Sequence, residues 1–240
     1  MSAIVWHDVE CGGYTADLPL WRELADAEDG PVLDVGAGAG RVAIDLAHHG
    51  HDVTALDLDG ALLAELAARA QAAGVDVRTE QADAAGFELG GPPFGLIVVP
   101  MQTIQLLSGR AARAAFLHSA RDHLAAGGLV ALAVAEELEP FEIDLSHPLP
   151  PDTGERDGWR YRSFPVAIRP RGDRVVLERV RELIAPDGTR SSEDDAVTLT
   201  TLSAPDLEVE GRAAGLAPEP ARRIAETDAH LGSTVVLLRG

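Results

Sequence analysis

The stretch Val32-Leu33-Asp34-Val35-Gly36-Ala37-Gly38-Ala39-Gly40-Arg41 constrains this chain more than any other. An apolar run with an embedded acid, three alternating glycines, and the helical pattern from Val42 to His49 read as strand, tight turn and helix. Glycines at 36, 38 and 40 let the backbone take positive φ and keep side chains off an approaching ligand. The helix behind them offers unpaired N–H groups. Such a turn holds a nucleotide-like ligand, unless it only connects strand to helix.

A dinucleotide-binding turn, Gly-x-Gly-x-x-Gly, places its third glycine at 41, where this chain has Arg41. The pattern acid-x-Gly-x-Gly-x-Gly, carried by Asp34, Gly36, Gly38 and Gly40, instead resembles the first motif of the class I S-adenosylmethionine (SAM) methyltransferases. The resemblance implies SAM as cofactor and S-adenosylhomocysteine as product. Gly36, Ala37, Gly38 and Gly40 then lie against the cofactor, and Asp34 acts on its cationic amino-acid end directly or by orienting the loop.

Further pieces follow in order. Asp52 to Asp57 reads as a second strand ending in an acid, where a carboxylate accepts both ribose hydroxyls; dinucleotide enzymes share this role. Leu58 is placed to cover the adenine. Ala61 to Ala73 is helical and Val75 to Arg78 a short third strand. In the resembling family an acid just past that strand accepts from the adenine amino group, which points to Asp83, with Ala84 beside it; the simpler alternative is a turn-capping aspartate. Phe94 to Val99 is a fourth strand, so Pro100 to Leu107 falls at the ligand edge, with Met101, Gln102 and Thr103 as contacts. Similar sugar-amine N-methyltransferases place a histidine base here; none stands between Pro100 and Leu107. Metal-dependent O-methyltransferases need an acidic cluster in this region, also missing from that stretch, so no metal is expected. His48, His49 and His51 are accounted for by a helix end with Gly50 as its C-cap.

Before the glycine turn, Ala16 to Ala27 is a helix with an apolar face of Leu18, Leu20, Trp21 and Leu24, where Trp21 packs. In the resembling family a Tyr-Asp pair, glycines and a second tyrosine cover the methionine end of SAM and the substrate. This chain has His7-Asp8 for the pair, and Tyr14 where the second tyrosine stands, either as a cofactor contact or as packing. Residues 6–14, with Gly12 and Gly13 and little apolar period, read as a lid.

After the helix Ala111 to Leu124, which carries His118 and His123 away from the ligand edge, Ala125 to Gly128 forms a loop and Leu129 to Ala135 a fifth strand. Glu136 and Glu137 end it at the ligand edge, where an acid attracts an amine or takes its proton. Glu139 to Asp157 reads as a loop carrying His147, and Trp159 to Ile168, Arg174 to Ile184 and Ala196 to Leu202 as a three-stranded antiparallel meander. The arginines recurring there make either an anion-recognising arm or, as the acidic composition favours, cross-strand ion pairs. Ala204 to Ala214 is a last helix, and Glu219 to Glu226 and Ser233 to Arg239 close the sheet. His7, Tyr14, Glu136 and His147 are the candidate bases.

At 240 residues, with no shift in composition, one domain is expected: residues 1–28 as N-terminal lid, 29–138 as SAM-binding core, 139–203 as loop and meander covering the substrate, and 204–240 as closing helix and strands. The fold class is α/β, a seven-stranded mostly parallel sheet flanked by helices, the last strand antiparallel, with a small antiparallel β-meander after strand five. A net charge of −19 and the lack of any lysine disfavour nucleic acid as partner. Alanine richness and arginine in place of lysine fit a bacterial source of high GC content. The single Cys11 allows no internal disulfide, and neither a signal peptide nor a membrane span is legible, so a cytoplasmic monomer or homodimer is expected. The expected reaction is methyl transfer from SAM to a nitrogen or oxygen of a small molecule. A SAM-binding enzyme catalysing another step, such as a cyclisation, and a non-catalytic SAM-binding protein are the alternatives.

Overall fold

Strands buried on both faces of a parallel sheet read as unbroken apolar runs. Here β1 (Val32–Val35) and β4 (Phe94–Val99) are buried at every position. The computed structural model describes residues 3–136, 138–143, 150–227 and 230–240. It divides into two compact units: residues 15–137 with 202–240, and residues 1–14 with 138–201.

The larger unit carries β2 (Val53–Asp57), β3 (Val77–Gln81), β5 (Leu124–Val134), β11 (Ala217–Ile224) and β12 (Ser233–Arg239) beside β1 and β4. They form one seven-stranded sheet in the order β11-β12-β5-β4-β1-β2-β3. Pairing is parallel from β3 to β5, whereas β12 runs antiparallel to both β5 and β11. This is the expected seven-stranded sheet with the last strand reversed.

Helices α2 (Leu18–Ala27), α3 (Arg41–His48), α4 (Gly60–Ala73), α5 (Thr103–Leu106), α6 (Gly109–His123) and α7 (Ala204–Ala213) complete the unit. Alternation along β1 sends Leu33 and Val35 to one face, where they join Ile97, Val99, Val130, Leu132, Phe116, Leu117 and Leu207 in a core shared with α6 and α7. Asp34 points to the opposite face. Trp21 is fully buried, as expected of a packing residue, and its indole N–H donates to Asp17.

Several boundaries differ from the sequence reading. β3 starts at Val77 rather than Val75, because Gly74 ends α4 in the left-handed region and the Val75 N–H turns back to the Ala70 carbonyl. The expected loop Ala125 to Gly128 lies inside β5. Pairing with β4 jumps from Phe94–Leu124 to Leu96–Leu129, so the extra residues bulge.

In the smaller unit residues 6–14 are not irregular. Helix α1 (Ala3–His7) runs into a π-helical turn over Asp8–Gly12, and Val5 and Trp6 are buried with Tyr161. The segment 139–157, expected as one loop, contains β6 (Phe141–Glu142) and β7 (Asp152–Arg156); His147 lies outside the described residues. With β8 (Trp159–Arg171), β9 (Arg174–Ile184) and β10 (Arg190–Thr200) they make a five-stranded antiparallel sheet in place of a three-stranded meander. β10 starts six residues before the expected Ala196, at Arg190, since its first half is polar and exposed at a sheet edge and lacks apolar alternation.

The arginines of this sheet pair with carboxylates. Arg162 bonds Glu182, Arg169 bonds Glu178 and Glu142, and Arg179 and Arg181 flank both Glu10 and Asp195. Burial works to raise the Glu10 carboxyl, but bonds from Arg181 and Ser163 and the Arg179 charge hold it below the usual range. Among the described residues no helix is long and apolar enough to cross a membrane.

Candidate functional site

The C-terminal ends of β1, β2 and β4 meet at one edge of the larger sheet, and the turn after β1 is built as the glycines require. Gly36, Gly38 and Gly40 all have positive φ, at 73°, 55° and 94°. The Gly36 and Ala37 N–H groups both donate to the Leu56 carbonyl at the end of β2. Two of the glycines answer to the protein's own packing. A Cβ on Gly36 would run into the Thr103 side chain, and one on Gly40 would stand 2.6 Å from Leu66 Cγ.

Asp57 fastens the edge together. Its carboxylate accepts from the Gly38 N–H at 2.8 Å and the Asp59 N–H at 2.9 Å, and its carbonyl accepts from the Ala82 N–H. The glycine turn, the β2 end and the segment carrying Asp83 and Ala84 are thus joined through one residue. Leu58 beside it is 68% exposed, a large apolar side chain presented at the sheet edge. Asp83 accepts from the Ala85 N–H and caps a turn, which is the simpler role considered for it, while Ala84 packs on the core.

After β4, Met101 has φ of 54°, a left-handed conformation rare for a residue with a long side chain. Strain of this kind collects at functional sites. Gln102 follows at the N-cap of α5, with its carbonyl taken by Gln105 and Leu106. Gln105 is buried, and its amide pairs with both the N–H and the carbonyl of Ala135 at the end of β5. Thr103, against Gly36, and Gln105 therefore tie the β4 end to its two neighbours.

Asp34 is the electrostatic centre. It is 1% exposed, and among the described residues neither carboxylate oxygen meets a side-chain hydrogen-bond donor. Burial pushes its carboxyl up to about 7; the Arg41 charge and the Ala43 backbone N–H oppose the rise, and Asp57 and Asp17 add to it. Arg41 is spent elsewhere, bonding Asp17 through both terminal nitrogens at 2.6 and 2.8 Å. Asp17 is fully buried at the N-cap position of α2, yet its side chain turns to Arg41 and Trp21 and not to the helix N–H groups. Sequence reasoning missed Asp17 altogether, and saw Arg41 only as a departure from a glycine pattern.

The other proposed residues separate. Glu136 accepts from the Ala204 N–H and the Thr234 hydroxyl, so both its oxygens fasten the start of α7 and β12. His7 and Tyr14 belong to the smaller unit, Tyr14 buried and His7 at the end of α1. The histidines after the glycine turn hold local structure: His49 Nδ1 bonds the Asp45 carbonyl, and His51 Nε2 pairs with Asp26. His123 is half-buried, accepting from the Leu89 N–H through Nε2. Among the described residues no three His, Cys, Asp or Glu side chains are grouped to hold a metal ion.

A buried carboxylate with no side-chain donor is chemically suited to a cationic group, and the half-exposed acid at the end of β2, bonded to the glycine turn, to a hydroxylated one. Both fit SAM. Sheet order and glycine turn are together those of the class I, SAM-dependent methyltransferase fold. Residues 32–128, which span β1 to β5, match a family model described as a methyltransferase domain.

Among solved structures, the sugar N-methyltransferase KedS8 from Streptoalloteichus superposes with a TM-score of 0.75 at 20% identity, covering 100% of this chain and 94% of that one. SAM-bound CalS10 from Micromonospora echinaspora, an amino pentose methyltransferase of calicheamicin biosynthesis, gives 0.72 at 18% identity, covering 100% and 98%. The CcbJ methyltransferase from Streptomyces caelestis gives 0.70 at 19%, covering 95% and 97%. At these identities the likeness is one of fold. No match is found among curated proteins.

Proposed function

We propose that the small-molecule acceptor of this methyltransferase is methylated on an amino nitrogen, in the manner named for the sugar N-methyltransferase KedS8. SAM supplies an electrophilic methyl group on a sulfonium, which passes in line to the acceptor's lone pair and leaves S-adenosylhomocysteine. The observation that carries the cofactor reading is the buried Asp34 carboxylate, without a side-chain donor among the described residues, before three positive-φ glycines. Asp34 attracts the cofactor's ammonium, Asp57 takes the ribose hydroxyls, and the backbone of the glycine turn and the exposed Leu58 flank the adenosine. The strained Met101 and its neighbour Gln102 bound the side from which the acceptor enters. Alignment and exclusion of water are what the protein must add, because the leaving group is already cationic.

A base is required only for an acceptor that arrives protonated. With both Glu136 oxygens engaged, His7, Tyr14 and His147 are the proposed proton acceptors. A small-molecule partner without nucleic acid, a cytoplasmic location and a bacterial source belong to the same proposal.

The test is incubation with SAM and paired acceptors, amino sugars and their hydroxyl counterparts. S-adenosylhomocysteine should form with the amines, and the new methyl should sit on nitrogen. Methylation of the hydroxyl compounds alone would make this an O-methyltransferase, and a conversion of SAM without methylated product would favour the cyclising alternative.

A further inference from the structure

The chain holds a buried charge cluster whose count does not balance. Asp34, Asp17 and Arg41 lie together beneath the glycine turn, Asp34 and Asp17 at 1% and 0% exposure and the Arg41 side chain at 12%. Two carboxylates therefore share one guanidinium. The sharing is unequal: both Asp17 oxygens take Arg41, and one of them also takes the Trp21 indole, while neither Asp34 oxygen has a side-chain donor among the described residues and only the Ala43 backbone N–H acts on it. Asp57, the remaining charge facing Asp34, is itself an acid whose oxygens are occupied by the Gly38 and Asp59 N–H groups. Nearby strand β4 brings only Val98 opposite Asp34, and β2 only Ala55.

A buried carboxylate left without a cation is strongly unfavourable, because nothing replaces the water it has lost. A nearby arginine would ordinarily be drawn to it. We propose that Asp17 is a specificity-determining positioning residue: by engaging Arg41 through both oxygens it leaves Asp34 as an unneutralised place for the ammonium end of the cofactor. The inference rests on SAM being the ligand and goes beyond it, since Asp17 and Arg41 have roles without touching the cofactor. It also explains why an arginine is tolerated at 41, directly behind the last glycine of the turn. A guanidinium loose at that position would cancel the negative site.

The consequences of changing the two residues are opposite in pH. In Asp17→Asn the cluster becomes neutral, Arg41 serves Asp34, and attraction for an ammonium is lost at every pH. In Arg41→Met two carboxylates remain without a cation, so Asp34 holds its proton more tightly and binding recovers only in alkaline solution. In the double variant, Asp17→Asn with Arg41→Met, the count returns to one lone carboxylate and affinity returns toward that of the parent.

Isothermal calorimetry on the full chain tests this with two probes, S-adenosylhomocysteine, which carries the ammonium, and 5′-methylthioadenosine, which lacks the amino-acid end. Asp17→Asn should weaken the first about tenfold or more and leave the second unchanged. The parent should release protons on binding S-adenosylhomocysteine near neutral pH, seen as a dependence of the heat on buffer, and Asp17→Asn should lose that release. Equal weakening of both probes, or an unchanged affinity for S-adenosylhomocysteine in Asp17→Asn, overturns the proposal; if the parent binds neither probe, the cofactor reading itself fails. Thermal melting of each variant verifies folding, and a double variant that folds but does not regain affinity also counts against the charge count.

Discussion

Asp57 ties the fold together at the place proposed for the ribose. Its oxygens already hold the Gly38 and Asp59 N–H groups, so a ribose would add to a carboxylate fixed in advance. Asp57→Ala should weaken S-adenosylhomocysteine by about 1.5–3 kcal/mol, the loss of a charge-assisted pair of bonds; an unchanged calorimetric affinity would place the ribose elsewhere. Asp34 carries a cost to stability. Its folded value near 7 stands above the ordinary 3.8, so the protonated form favours the folded state. In the ligand-free protein, stability is therefore highest below pH 3.8 as far as this group is concerned, falls as pH rises to 7, and is lower by about 4 kcal/mol beyond that. Asp34→Asn avoids the loss. Denaturant titrations across that range should show the variant gaining on the parent up to neutrality and then holding its lead, while its affinity for S-adenosylhomocysteine drops.

Helices α6 and α7 are joined by a buried ion pair rather than by apolar contact alone. Arg113 and Glu210, 5% and 8% exposed, meet through two bonds of 2.8 and 2.7 Å. Glu210→Ala strands a buried guanidinium and should cost about 3–5 kcal/mol of unfolding free energy, whereas Arg113→Met with Glu210→Leu should come close to the parent, because the desolvation of both charges disappears with the pair. Chemical denaturation of the three proteins would show it, and a mild single variant would mean that water reaches the pair. The segment from Met101 to Gln105 is the other element worth separating from its surroundings. It is keyed to the turn by Thr103 and to β5 by Gln105, so strain at Met101 is held in place from both sides.

For the whole molecule, the two units carry different physics. The larger packs an apolar core between sheet and helices; the smaller is an antiparallel sheet laced by arginine–carboxylate pairs. Ligand binding should be felt first where the edge residues are. Hydrogen exchange with S-adenosylhomocysteine is expected to raise protection at residues 36–40, 57–59 and 101–105 of the larger unit, and protection confined to other segments would show that the ligand binds away from this edge.

The sequence alone determined the sheet, its order of strands and helices, the glycine turn and the strand-end acids. Those features are local in the chain: a period of two or of 3.6, an apolar run, a glycine where φ must be positive. β4 and β12 fall on the residues expected for them, as do most of the helices to within two or three positions. The polar first half of β10 and the short strands inside 139–157 were not legible because they lack apolar alternation, and the helical N-terminal segment because its burial comes from Tyr161, far along the chain. Only the tertiary structure decided what the charged residues do. It gave Glu136 to the start of α7, the arginines of β8 and β9 to neighbouring acids, and Arg41 to Asp17. A charge's function depends on which opposite charge and how much water stand beside it. Neither is encoded in sequence spacing, which is why the unpaired state of Asp34 became visible only once residues 17, 34 and 41 were seen together.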